Sequence, residues 1–224
     1  MTPEEHNKSI LARYLPPSAV EPVFAFLNGH SVHFHITRSR TSKLGDYRMP
    51  QPRHQYHEIS VNGDLGPRFF LLVLLHEMAH LNTFLQYGRA VQAHGHEWQE
   101  QYRRLLVRYQ AGDCFAAGDE AGNAALQRLV AAYTAVIPLN RAAGAALERK
   151  LKELDAPADA PRPTLLKDLP VGTLFRIGRM PGRLFRCEEK RRTRYKCLDV
   201  AERRYYLVSG DAEVEPEEKN TPIQ

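Results

Sequence analysis

Pro67-Arg68-Phe69-Phe70-Leu71-Leu72-Val73-Leu74-Leu75-His76-Glu77-Met78-Ala79-His80 is the stretch on which the fold turns. Phe69 to Leu75 is unbroken apolar sequence running straight into His76, so a helix here is apolar on nearly all sides and is expected at the buried centre of a domain. Gly66-Pro67 marks its start, because the N–H that proline lacks has no intrahelical partner in the first turn. Histidines four residues apart are separated by about 400° of helical rotation, so His76 and His80 share one face and can aim at a single metal. Glu77 lies beside them. Two histidines and a glutamate in so apolar a helix would be costly to bury unpaired, and a metal ion compensates them directly.

A catalytic zinc ion typically takes three protein ligands and a water, and a neighbouring carboxylate can accept that water's proton once the metal draws its pKa towards about 7. His76 and His80 supply two ligands and Glu77 the base. The third ligand must come from elsewhere. A metzincin spacing fails, because Thr83 and Gln86 stand where it needs glycine and histidine. Glu100 sits at the distance of a thermolysin-like third ligand. His94, fourteen residues past His80, is preferred: Gly88 ends the first helix, and His94-Gly95 then falls in the turn opening a second. Glu100 and His96 remain the alternatives.

Upstream, His33 to Ile36 and Glu58 to Val61 alternate polar and apolar residues as half-buried strands do, predicting a small sheet. An edge strand beside such a centre can bind an extended substrate through its main chain. His33, His35, His54 and His57 are not taken as ligands, since strand and loop histidines are more often solvated or hydrogen-bonded.

Four elements in order carry a resemblance: His33-Phe34-His35-Ile36-Thr37 with the Gly-containing turn Leu44-Gly45-Asp46-Tyr47-Arg48, then His57-Glu58-Ile59-Ser60-Val61-Asn62, then LLHEMAHL, then His94-Gly95-His96-Glu97-Trp98. The segment from Val32 to Tyr109 resembles the SprT-like zinc metallopeptidase family. The resemblance implies an α+β fold, a zincin-like catalytic domain with a small sheet and an HExxH helix. It also implies one catalytic Zn²⁺ held by His76, His80 and His94, with Glu77 as general base, protein or peptide substrates, and DNA-associated proteins as a substrate class. Tyr87 and His96 are candidate oxyanion stabilisers.

With 224 residues, 43% hydrophobic and 25% charged, the chain can bury a proper core in one large domain or two small ones. No run of eighteen apolar residues and no basic-then-apolar N-terminus occur, so neither a membrane span nor a secretory signal is expected, and the cytoplasm is the expected location. Three cysteines, Cys114, Cys187 and Cys197, make no disulfide framework and fit a reducing compartment.

Apolar spacing predicts helices over Glu5 to Leu15 and Ser18 to Leu27, over Glu97 to Tyr109 with Trp98, Tyr102, Leu105 and Leu106 inward, and an interrupted helical region from Ala121 to Leu154. Residues 1–154 are thus read as the catalytic domain with a helical extension, and the proline-rich 155–164 as a linker. Residues 165–210 are read as a β-rich module with strands at Thr173–Ile177, Arg183–Cys187, Arg194–Leu198 and Arg203–Val208, and 211–224 as an acidic, disordered tail able to fold back on it. Family members often carry a C-terminal zinc ribbon; Cys187 and Cys197 cannot supply its four ligands, so no structural zinc is expected in this module. Between Arg162 and Arg204 thirteen Lys or Arg face five Asp or Glu, which makes a nucleic-acid surface an expectation. Lys190, Arg191, Arg192 and Arg194 would meet phosphates, and Phe175, Phe185, Tyr195, Tyr205 and Tyr206 would offer rings for stacking. The alternative reading of the whole chain follows from this module: a nucleic-acid-binding protein whose zinc site is structural or vestigial.

Overall fold

The computed structural model describes residues 1–217 apart from 41, 53, 117–119, 137–140, 158–162, 179 and 193, and apart from the side chains of 135, 136 and 141–143. It is a mixed α/β structure with six α-helices and two sheets among the described residues, divided into two compact units, Met1–Ala158 and Asp159–Gln224.

The first unit is organised around α3, Pro67–Tyr87, which starts at Gly66 and stops at Gly88, the latter at a φ of 67° that glycine adopts without strain. Phe70, Leu71, Leu74, Leu75, Met78, Ala79 and Leu81 are fully buried on it, as expected of a helix apolar on nearly all sides. α1 (Pro3–Leu11) and α2 (Pro17–Gly29) pack together, and α2 lies beside the sheet. Thr2 opens α1 with a capping box closed by Glu5, which satisfies two otherwise free N–H groups. β1 (Val32–Thr37) pairs in parallel with β3 (His57–Asn62), and β2 (Gly45–Arg48) pairs antiparallel on the far side of β3, giving the order β1-β3-β2. The segment read from sequence as a Gly-containing turn is therefore an edge strand. Four residues are too few for alternation to reveal one. Ile59 and Val61 bury the sheet face turned to α3.

α4 (His96–Ala111) packs along α3, with Trp98, Tyr102, Leu105 and Leu106 buried, and α5 (Glu120–Val136) and α6 (Arg141–Asp155) form a hairpin that continues the same core through Leu126, Val130, Leu147 and Leu151. The last residue of α6 corrects the expected linker. Asp155, its side chain 4% exposed, accepts hydrogen bonds from the Arg68 N–H at 2.8 Å and the Phe69 N–H at 2.9 Å, and pairs with the Arg68 guanidinium at 3.1 Å. Gly66 leaves the space: a Cβ there would overlap Asp155. A carboxylate delivered from 86 residues away thus caps the start of α3, where free N–H groups and the helix dipole favour negative charge. Asp155 belongs to the first unit. Proline-rich composition cannot reveal a contact made across so long a stretch.

The second unit holds a five-stranded antiparallel sheet, order β7-β6-β5-β4-β8, from β4 (Leu174–Arg176), β5 (Leu184–Arg191), β6 (Arg194–Asp199), β7 (Tyr205–Ser209) and β8 (Glu215–Pro216). Phe175, Phe185 and Tyr195 fill its core with Cys187, Cys197 and Leu166, and Cys187 faces Cys197 across β5 and β6. These three rings are accordingly not available for stacking, contrary to expectation. Tyr205, 57% exposed, is the ring left on the surface, while Tyr206 is half-buried and its hydroxyl accepts from Arg183 at 2.9 Å. The supposed disordered tail also needs correction up to residue 217. Glu215 and Pro216 pair with β4, Val214 is buried, and Arg176 donates to both carboxylate oxygens of Glu217 at 2.9 and 3.2 Å. A single buried valine in a charged run is too weak a signal to read as a strand. The acidic segment does meet basic residues, Arg176 on β4 and Lys167, whose Nζ lies 3.0 Å from Asp211, rather than Lys190–Arg194; residues 218–224 lie outside those described.

Candidate metal centre

His76 and His80 project from one face of α3, one turn apart, and His94 reaches them from the loop before α4 at a φ of 61°, a left-handed conformation uncommon outside glycine. The three Nε2 atoms converge. His94 Nε2 lies 3.0 Å from His80 Nε2 and 3.0 Å from His76 Nε2, and one ring nitrogen from each residue lies within 4.8 Å of the others. An imidazole nitrogen has either one N–H or one in-plane lone pair, so His94 Nε2 cannot satisfy two such neighbours at once. A cation accepting all three lone pairs removes the conflict. Tetrahedral ligation at about 2.0–2.1 Å sets nitrogens about 3.3 Å apart, a few tenths more than observed, so the donor set fits a zinc ion with small adjustment. Three histidines are thus positioned to bind a metal ion.

Burial first, and then the neighbouring imidazoles, push His76 down to about 3 and His80 to about 4, and burial lowers His94. The rings are therefore neutral at neutral pH, with lone pairs available. Trp98, 3% exposed, packs on all three at centroid distances of 4.6, 5.3 and 4.6 Å, and fixes their orientation from the α4 side.

Glu77 is 6% exposed, and burial, reinforced by Asp46, pushes it up to about 8 against the pull of Lys43, Arg40 and the Tyr47 N–H. The β2 edge shapes its seat. A Cβ on Gly45 would overlap the Glu77 carboxylate and lie 2.9 Å from Glu77 Cγ and from Val73 Cγ1. Gly45→Ala should therefore displace the carboxylate without touching the histidines. The expected outcome is metal content at the wild-type level with turnover reduced by about 10²-fold, read by metal analysis and a peptidase assay on the same sample.

A cleft of about 630 Å³ opens over His76, Glu77, His80 and His94, walled by β2 and its flanks on one side and by the loop between α3 and α4 on the other. Tyr47 lines it with its ring parallel to that of His80, centroids 6.3 Å apart, and its hydroxyl hydrogen-bonded to His57 Nδ1 at 3.0 Å. Sequence reasoning passed over Tyr47 because its segment read as a turn. The two residues singled out instead as oxyanion stabilisers, Tyr87 and His96, do not line the cleft. Glu100, the competing third ligand, is turned to Arg103 at 2.8 Å and Arg104 at 3.0 Å, outside the histidine group. The histidines set aside are engaged elsewhere: His33 stacks on Tyr56, His54 lies beside the same ring, His35 is 4.0 Å from Glu58, and His57 serves Tyr47. In the second unit Lys190, Arg191, Arg192 and Arg194 are all exposed at the β5–β6 turn, with Arg191 3.3 Å from Glu189.

Residues 20–113 match the sequence profile of the SprT-like family. That span contains all three histidines, Glu77, the three-stranded sheet and α4, so the resemblance carried by the motifs is shown over the part of the chain that builds the centre. No curated protein and no solved structure matches the chain. Among the described residues, no helix is long and apolar enough to cross a membrane.

Proposed function

We propose that the chain is a zinc metallopeptidase of the cytoplasm with a zincin-like catalytic domain, hydrolysing peptide bonds in proteins. The observation that carries this reading is the meeting of three histidine nitrogens beside a buried glutamate at the floor of an open cleft. His76, His80 and His94 would hold the ion. When bound, zinc supplies a Lewis acid that polarises the scissile carbonyl and makes water acidic enough to attack near neutral pH. Glu77 is adjacent in sequence to one ligand and seated by Gly45 and the Tyr47 N–H; burial favours its protonated form in the metal-free protein, and the charge of an ion held by the histidines would draw it back down, so that as a carboxylate it takes the proton of the attacking water and returns it to the leaving amine. A purely structural site closes around its metal and needs no such base. The Tyr47 hydroxyl is hydrogen-bonded to His57 Nδ1, and when His57 carries its proton on Nδ1 the hydroxyl accepts and its own proton is free to donate to the carbonyl oxygen as it gains charge.

Leu44 O accepts from Asn62 N at 2.9 Å, so Leu44, Asp46 and Arg48 face β3, and the main chain of Gly45, Tyr47 and Met49 faces the opposite edge. Tyr47 N–H is committed to Glu77, which leaves Gly45 and Met49 to pair with an extended substrate backbone. The deciding experiment is metal content by mass spectrometry on protein purified without a metal-affinity tag. About one zinc per chain in the wild type, retained in Glu100→Ala and lost in His94→Ala, is the expected result. No stoichiometric metal in the wild type would sink the reading.

The second reading, nucleic-acid binding by the β-rich module, is favoured by one observation. Lys196 sits over the exposed Tyr205 ring at 4.0 Å, on the sheet face that also carries Arg194 and the exposed Leu207. A base can stack where phosphates meet arginine. Arg192→Glu combined with Arg194→Glu should weaken binding to single-stranded DNA and flatten the dependence of log K on log salt by about 0.7 for each lost phosphate contact. Identical slopes for wild type and variant would exclude this surface.

A further inference from the structure

The cleft is not symmetric about the histidines, and its asymmetry specifies a substrate side chain. β2 runs alongside α3: Gly45 lies against Val73 and Glu77, Tyr47 against His80, and His57, hydrogen-bonded to Tyr47, meets the Phe84 ring edge-on at 5.5 Å. The end near Glu77 is therefore charged, with Lys43 and Asp46 paired at 2.7 Å on its rim. The end beyond His80 is lined by Met49, Phe84 and Val91. Thr83, 5% exposed, also lines it, and its hydroxyl donates to the Ala79 carbonyl at 2.7 Å. Gly88 adds no side chain, and open space lies where a Cβ would stand. Arg89 Nη2 donates to the Pro50 carbonyl at 3.1 Å, tying the loop after α3 to the segment after β2.

We propose that this apolar end is a specificity pocket that takes a leucine-, methionine- or phenylalanine-sized side chain next to the scissile bond. The inference rests on the peptidase reading for the word scissile, but the pocket itself rests on its lining. Polar groups stand only at the margin of this end, where Arg89 is engaged with the Pro50 carbonyl and Gln92 is exposed, while Met49, Phe84 and Val91 present carbon, so an apolar side chain gains more from burial here than a polar one, which gives up its water for few partners. Burying a leucine side chain in such a site should raise affinity by about tenfold or more over glycine.

The test uses the full-length, zinc-loaded protein and two probes. Dipeptide hydroxamates bearing leucine or glycine are titrated while fluorescence is followed from Trp98, the chain's one tryptophan, which lines the same cleft. Cleavage sites in unfolded casein are mapped in parallel by mass spectrometry. The expected result is a leucine-over-glycine affinity ratio of about tenfold that falls to about threefold or less in Phe84→Ala and in Met49→Glu. Met49 is 36% exposed, so its variant keeps the fold if the other does not. Cut sites should be flanked on one side by large apolar residues. A ratio near unity in the wild type, or one unchanged by both variants, overturns the pocket even if casein is cut. Retention of the ratio with no cleavage of casein supports the pocket and counts against the peptidase reading instead.

Discussion

Glu77→Gln is expected to keep the metal content of the wild type and to lower kcat/KM on an unfolded protein substrate by about 10²–10⁴-fold, the range a positioned general base contributes. The two side chains are nearly the same size, so the packing of Gly45 and Val73 around the carboxylate is preserved. The histidines are untouched, and what is lost is the ability to accept a proton. Metal analysis and turnover on one preparation separate this outcome from the competing one. A variant that binds zinc and cuts as fast as the wild type would leave Glu77 without a chemical role, and the nucleic-acid reading of the module would then become the leading one.

Asp155→Ala should destabilise the first unit by about 3 kcal/mol, well beyond the usual effect of removing a helix cap. Three losses coincide: the N–H groups of Arg68 and Phe69 lose their acceptor, and the Arg68 guanidinium keeps only carbonyl partners, at Ala116 and Leu154. Asp155→Asn, which retains an acceptor oxygen but not the charge, should recover part of the loss. Urea unfolding followed by Trp98 fluorescence reads all three proteins. Equal midpoints for wild type and Asp155→Ala would mean that the cap contributes nothing to stability.

The metal-centre motif was legible in the sequence because its signals are local. His76, Glu77 and His80 are fixed relative to one another by helical geometry alone, and Gly88 and His94-Gly95 punctuate the return. What sequence reading missed depends on contacts between distant residues or on segments too short to show a period. Tyr47 and Gly45 sit in a four-residue strand whose partner is β3, and their relation to Glu77 exists only once that pairing forms. Asp155 looks like the first residue of a linker until α6 is folded against α3. In the module, aromatic residues among arginines read equally as a stacking surface or a core. The strand register decides between them, turning Phe175, Phe185 and Tyr195 inward and Tyr205 outward.

The helical hairpin of α5 and α6 lies beyond the segment that matches the family, yet it shares one core with the helix bearing the histidines and ends on the residue that caps it. The seam at which this chain could exchange its C-terminal unit in the course of evolution is therefore not the boundary of the match at residue 113, but the stretch just after Asp155. A recombination upstream of that seam would hand the recipient the histidine-bearing helix without its anchor, whereas one downstream could attach a different module and leave the histidine cluster intact.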